Sequence, residues 1–148
     1  MTTLYFILIT LGTFLIMEMV TWLTHKYVMH GFLWYLHEDH HQPKYKGLFE
    51  KNDAFFVIFA IPSILLFYFG VNPELNYKFF VGLGILLYGL AYFVVHDIII
   101  HQRVKWFTRS KNKYISGLRR GHKVHHKHLG KEEGECFGML LVPKKYFF

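Results

Sequence analysis

Apolar residues gather in three long runs, Leu4 to Thr24, Ala54 to Gly70 and Phe79 to Val95, the first interrupted only by Glu18. Each is of the length that crosses bilayer hydrocarbon, about 17 to 25 residues, and a domain of this size in water has no use for three of them. Between the second and third runs, Val71 to Lys78 carries Asn72, Pro73 and Asn76, which suits a tight turn. Those two spans therefore form a hairpin whose equal arms return His96 to the side of Asp53. Lys26 to Asp53 joins spans one and two without crossing, so His25 emerges on that side too, and every histidine shares one face. Met1 to Phe6 lacks a basic n-region and no small-residue cleavage pattern precedes Thr24, so the first span is expected to persist.

Charge agrees with this topology. Of 17 Lys+Arg only Lys78 falls on the turn side, and the rest, set against 10 Asp+Glu, accompany the histidines. The positive-inside rule makes that side cytoplasmic. The basic stretch Arg103 to Lys131 reads as contact with lipid headgroups in preference to nucleic acid. The 148 residues are expected to form one all-α domain, a multi-pass transmembrane helical bundle whose cytosolic-side helices build a histidine-rich di-metal site. Cys136 is the single cysteine, which excludes an internal disulfide or a thiolate centre.

Eleven histidines remain, and ten of them fall in boxes: His25 and His30 in HKYVMH; His37, His40 and His41 in HEDHH; His96 and His101 in HDIIIH; His122, His125 and His126 in HKVHH. A box of two followed by a box of three occurs twice. Positions i, i+3 and i+4 lie in a narrow arc of a helix, so each triad is expected to converge on one point. The pairs are five residues apart, about 140° on a regular helix. Both rings reach one cluster only if the helix ends, unwinds or widens, or else they serve different ions. Gly31 permits a break after the first pair, and the second pair has no such glycine.

Ten imidazoles exceed the about four to six ligands of one transition-metal ion, which points to two ions. Imidazole does not itself choose the metal. Ligands at the edge of an apolar, aromatic-rich region favour an apolar substrate, and attack on an unactivated C–H bond needs a redox metal with dioxygen, so iron is expected. Neutral ligands leave the ions' charge to be offset by carboxylates nearby. Asp97 and the pair Glu38 and Asp39 adjoin ligands. Glu18, inside an apolar span at a cost of about 2 to 4 kcal/mol, marks function by default. It lies seven residues before His25, on nearly the same face and about 10 Å deeper, and is expected to be protonated or hydrogen-bonded in an outer shell without touching metal.

The four boxes, with their flanks THKYVMHGFLW from Thr24 to Trp34 and GKEEGECFG from Gly130 to Gly138, resemble the bacterial β-carotene 3-hydroxylases within the fatty acid hydroxylase and sterol desaturase group of membrane di-iron enzymes. The likeness runs from about Glu18 to Pro143. It implies that the ten box histidines bind two non-haem iron ions, while Glu18 and Asp97, on the grounds given above, are expected to stand behind the ligands. It further implies that O2 and two electrons are consumed per hydroxylation at carbon 3 of the β-ionone rings, taking β-carotene through β-cryptoxanthin to zeaxanthin. The chain has no G-x-G-x-x-G fingerprint, so electrons are expected from a separate donor, which the resemblance implies is a ferredoxin-type protein and which the basic surface from Arg103 to Lys131 could dock. His128 reads as a surface histidine. Many such relatives have four spans, and the fourth is expected as a partly embedded helix around His96 to Trp106 or as Phe137 to Pro143 lying in the interface. Trp22, Met19, Phe59, Tyr88 and Tyr92 are candidates to line a substrate passage. A membrane fatty acid hydroxylase or desaturase uses the same chemistry on another guest. A membrane metal transporter or storage protein is the main non-enzymatic alternative, and a structural subunit with interfacial histidines is the weakest reading.

Overall fold

A computed structural model describes residues 2–42, 49–106 and 108–148. It is helical, with no strand among the described residues. Helix α1 (Thr2–Leu23) continues as a widened π-helical segment, Thr24–Phe32, and turns into α2 (Trp34–His41). A short 3-10 turn, Lys51–Asp53, leads into α3 (Ala54–Val71), then α4 (Tyr77–Phe93) with a second π segment, Val94–Ile100. Helix α5 (Lys113–His125) and a 3-10 turn, Lys144–Phe147, complete the chain.

Three continuous helical stretches are long and apolar enough to cross a membrane, Thr2–Phe32, Lys51–Val71 and Tyr77–Ile100. Side chains such as Leu15, Ile64 and Leu90 stay exposed on them, as expected where lipid tails are the solvent. The hairpin is present as read from the sequence. Asn72 Nδ2 donates to Tyr68 O at 2.9 Å and Asn76 Oδ1 caps the Lys78 amide at 3.1 Å.

Helix α4 is the central member, packing on both α1 and α3, while α1 and α3 barely touch each other. Small residues allow the close approach. A Cβ at Gly84 would lie 2.6 Å from Thr13 Cβ, and one at Gly82 would lie 3.0 Å from Ser63 O. Hydroxyls stitch the same seams: Ser63 donates to Gly82 O at 2.9 Å, and Thr10 to Phe6 O at 3.0 Å and Phe80 O at 3.3 Å.

The first form of the expected fourth span, a helix around His96 to Trp106, is not present. Helical structure ends at Ile100, and His101 to Trp106 is irregular, because Arg103 is drawn back into carboxylates, with Nε 3.1 Å from Asp97, Nη1 3.2 Å from Asp53 and Nη2 2.9 Å from Glu50. Phe137 to Pro143 is not helical either. It is an irregular strap with a bend at Met139 and Leu140. Amphipathic α5 starts on an Asn112 cap, whose side chain accepts from Tyr114 N at 2.8 Å and Ile115 N at 3.2 Å. Arg119 Nε ties α5 to the end of α4 through Ile99 O at 2.8 Å. Lys44 and Lys46, part of the charge asymmetry, lie outside the described residues.

Candidate metal centre

The two-histidine boxes sit on the π segments. A helix closed by i to i+5 bonds turns less per residue, bringing positions five apart toward one another. The bonds are explicit: Leu33 N donates to Val28 O at 3.0 Å and His101 N to His96 O at 2.8 Å. The ring centroids of His25 and His30 are accordingly 5.2 Å apart, and those of His96 and His101 4.4 Å. Gly31, at φ −113° and ψ −122°, breaks the first helix just past its pair and lets α2 fold back. Of the routes open from spacing alone, widening is the one taken by both boxes.

The ten box histidines form two adjoining sets. Candidate ligand nitrogens of His25, His30, His37, His41 and His125 lie within 4.8 Å of one another, as do those of His40, His101, His122 and His126. His96 joins the second set, its Nε2 3.0 Å from that of His40. The triads therefore do not converge on single points. On a helix i and i+4 are separated by about 40°, while i+3 points about 60° the other way. His37 and His41 face the first set and His40 the second; His122 and His126 face the second and His125 the first. Each half of the chain lends its middle triad histidine to the other half's set.

Outward hydrogen bonds fix the protons. His25 Nδ1 donates to Phe137 O at 3.0 Å, His30 Nδ1 to Lys131 O at 2.9 Å, His37 Nδ1 to Asn52 Oδ1 at 2.7 Å and His41 Nδ1 to His128 O at 2.9 Å. His125 Nδ1 donates to Glu135 O at 2.8 Å, His40 Nδ1 to Glu50 Oε2 at 2.8 Å and His96 Nδ1 to Asp97 Oδ2 at 3.2 Å. Every partner is an acceptor, so each of these rings in its neutral form presents a bare Nε2 lone pair inward. Yet the Nε2 atoms meet: His25 and His37 at 3.2 Å, His30 and His125 at 3.2 Å, His41 and His125 at 3.1 Å, His40 and His96 at 3.0 Å. Lone pairs facing lone pairs repel unless a cation lies among them. His126 Nε2 is buried with no partner among the described residues. Burial also holds His37, His40, His41, His101, His122, His125 and His126 below the ordinary imidazole range, which keeps them in the neutral, metal-ligating form. The donor set fits two transition-metal ions.

The sets differ in what stands behind them. In the first, the outward acceptors are four backbone carbonyls and Asn52. In the second, Glu50 and Asp97 stand behind His40 and His96. Arg103 bridges both carboxylates. Burial alone lowers the Arg103 pKa, but Asp97, Glu50 and Asp53 together raise it above the usual value. Burial raises Glu50, with Arg103 opposing. Asp97 lies beside a box histidine as expected. Asp39 instead accepts from Lys51 N at 2.7 Å. Glu50 and Asn52 were missed from sequence, since each is remote from its histidine in the chain.

The four carbonyls belong to one segment, from His128 to Phe137. Glu18 clamps its continuation, accepting from Met139 N, Leu140 N and Leu141 N, each at 2.9 Å. It also accepts from Tyr88 Oη at 2.6 Å. Glu18 is thus hydrogen-bonded, and the strap it grips reaches the first set. Carbonyl acceptors for histidines leave no trace in side-chain identity, and only the density of glycine in GKEEGECFG signals a closely folded backbone.

Above the sets, where α1 and α3 part, a cavity of about 60 Å³ opens. Met17, Phe55, Phe59, Tyr88, Gly89 and Tyr92 are among its walls. Its floor touches the ligand shell: the Tyr92 ring lies against that of His96 with centroids 4.9 Å apart, and lining residue Asn52 holds His37. Phe59, Tyr88 and Tyr92 line the passage as considered from sequence, whereas Met19 is 58% exposed and Trp22 packs on Tyr27 and Phe137.

A helical scaffold of the membrane type, with a buried polyhistidine centre beneath an apolar cavity, defines the class. Residues 10–144 match the fatty acid hydroxylase family, and the chain belongs to it. It is 42% identical over 136 residues to a beta-carotene hydroxylase of Pantoea ananas, covering 92% of this chain and 77% of that protein. It is 35% identical over 139 residues to one from Paracoccus sp. (strain PC1), covering 92% and 83%. It is 37% identical to the chloroplastic beta-carotene hydroxylase 1 of Capsicum annuum, covering 82% of this chain and 38% of that one. Family and relatives make this chain an enzyme of the oxygenase kind. No solved structure matches it significantly.

Proposed function

We propose that this protein is a non-haem di-iron monooxygenase that hydroxylates carbon 3 of the β-ionone rings of β-carotene, giving β-cryptoxanthin and then zeaxanthin. The observation that carries the metal centre is the set of inward lone-pair contacts, and the hydroxylases to which the chain is similar suggest the substrate class. His25, His30, His37, His41 and His125 would hold one iron ion, and His40, His96, His101, His122 and His126 the other. When bound, the pair supplies the redox chemistry that uses O2 and two electrons to place one oxygen atom on a C–H bond and release the other as water.

The chain's own part is to bind, orient and keep dry. A long hydrocarbon dissolved in the bilayer enters sideways between α1 and α3, and the aromatic walls at Phe55, Phe59 and Tyr92 hold its end against the ligand shell. Glu18 and Asp97 act from behind the ligands, Glu18 through the strap and Asp97 through His96. The histidines lie on the cytoplasmic face, by the charge asymmetry.

Electrons come from a ferredoxin-type protein. His101 and His126 are only half-buried where the other histidines of the second set are buried, and Lys105, Lys123 and Lys127, close to them in the chain, are exposed. Arg119 and Arg120 are structural, bonded to Ile99 O at 2.8 Å and Phe148 O at 3.0 Å. Charge reversal of Lys123 and Lys127 therefore tests docking more cleanly, and donor-dependent turnover should fall and lose its salt dependence.

The reading is tested by extracting pigments from β-carotene-accumulating cells that express the chain with iron, oxygen and reductant present. Zeaxanthin and β-cryptoxanthin are expected, and their absence would falsify the assignment. A hydroxylated or desaturated acyl chain in those extracts would instead favour the fatty acid alternative. Stoichiometric metal without turnover would favour a transporter, against which stands the gathering of the ligands at one end of the long helices, away from a midplane path.

A further inference from the structure

The wall that α4 gives the cavity is bulky except at one place. Met17, Phe55, Phe59, Tyr88 and Tyr92 crowd it, and between the two tyrosines Gly89 leaves a notch. A Cβ built there meets nothing within 4 Å, whereas one at Gly82 or Gly84 of the same helix would press into α3 or α1. Helix packing thus accounts for those two glycines and not for Gly89. Glycine within a helix is destabilising relative to alanine, and the space it leaves here faces the cavity.

The flanking rings are held in place. Tyr88 is tied to Glu18 at 2.6 Å, and Tyr92 lies against His96 at 29° between ring planes. Gly89 is seven residues before His96, on nearly the same face and about 10 Å along the axis. Side chains on a helix lean toward its N-terminus, which brings the His96 imidazole down toward the notch. An unbranched chain needs only a narrow bore at this level, while a methyl-bearing ring needs added width on one side.

We propose that Gly89 is the specificity-determining position of the cavity, its missing side chain admitting the branched ring end of a carotenoid where a straight chain needs no such room. The proposal rests on the carotenoid reading above. The test compares binding of β-carotene and of an open-chain carotene without rings to purified, metal-loaded protein in detergent, read by the pigment's absorption shift. The proteins are the wild type, Gly89→Ala, Gly89→Leu and a control, Gly12→Leu, at another position where a Cβ meets open space.

Gly89→Leu is expected to weaken β-carotene binding by roughly tenfold or more, the scale on which apolar pockets discriminate size. Gly89→Ala should fall between it and wild type, open-chain binding should stay within about twofold, and metal content and the control should match wild type. Unchanged β-carotene binding by Gly89→Leu overturns the proposal. So does an equal loss of both pigments, which makes the position a general plug. Wild-type protein that binds only the open-chain pigment, or neither, removes the carotenoid reading and this proposal with it, a result separate from any difference between variants.

Discussion

Replacing Glu18 should empty one metal position and spare the other. The side chain accepts four hydrogen bonds, from Tyr88 Oη at 2.6 Å and from Met139 N, Leu140 N and Leu141 N at 2.9 Å. Bonds to charged acceptors contribute about 1.5 to 3 kcal/mol each. Leu141 is 74% exposed and water can take its place there, but Met139 and Tyr88 are 1% and 2% exposed. Those two donors, left without partners, set a cost of about 3 to 6 kcal/mol for Glu18→Ala. Glu18→Gln keeps an acceptor and should lose roughly half of that. The strap released is the one whose Phe137 and Glu135 carbonyls fix the His25 and His125 tautomers. Each such support is worth about 10- to 100-fold in metal affinity. Dialysis against graded chelator, followed by metal analysis and Mössbauer spectroscopy, should show the alanine variant falling from about two ions per chain to about one, with the signal of the second set intact. Equal loss of both ions, or of neither, would refute the reasoning.

Three further outcomes follow from the same geometry. His125→Ala should abolish the same spectroscopic site as His25→Ala, and His40→Ala the same site as His96→Ala; pairing along the sequence boxes instead would contradict the crossed arrangement. In metal-free protein, rings whose folded pKa lies below an unfolded value of about 6.5 leave stability intact above that pH and erode it as pH falls, each by up to about 1.4 kcal/mol per unit. A denaturation midpoint in micelles that stays level from neutrality down to pH about 5 would speak against this. Gly84→Leu, driven into Thr13 and Thr10, should destabilise the α1 and α4 pair by about 1 to 3 kcal/mol or more, while Gly12→Leu stays near wild type by thermal unfolding.

The spans, the hairpin and the shared face of the histidines were legible because bilayer length and charge asymmetry act on composition alone. The histidine boxes were equally plain as a donor set. Their partition was not: the arc argument treats a triad as one direction, and only where a second helix crosses does the angle between His40 and His41 become a choice between two sets. The five-residue pairs did carry a signal, since spacing that fails on a regular helix implies the widening found at Thr24–Phe32 and Val94–Ile100. Glu18 was identifiable from its cost in lipid, although its role through the strap was not. Glu50 and Asn52 meet His40 and His37 only after the chain between α2 and α3 has returned, and no local pattern encodes that return.

The lending of His40 and His125 across the two halves has an effect on assembly. In the di-metal reading proposed above, the N-terminal helices supply four of the first set's five imidazoles and the C-terminal ones four of the second's, so both sets are completed only when α2 and the last turn of α5 come together. Metal capture would then act as a latch between the two halves of the chain, its binding energy stabilising the whole scaffold. Chelation should accordingly loosen regions far from the ions, including the seating of the C-terminal segment against the first helix.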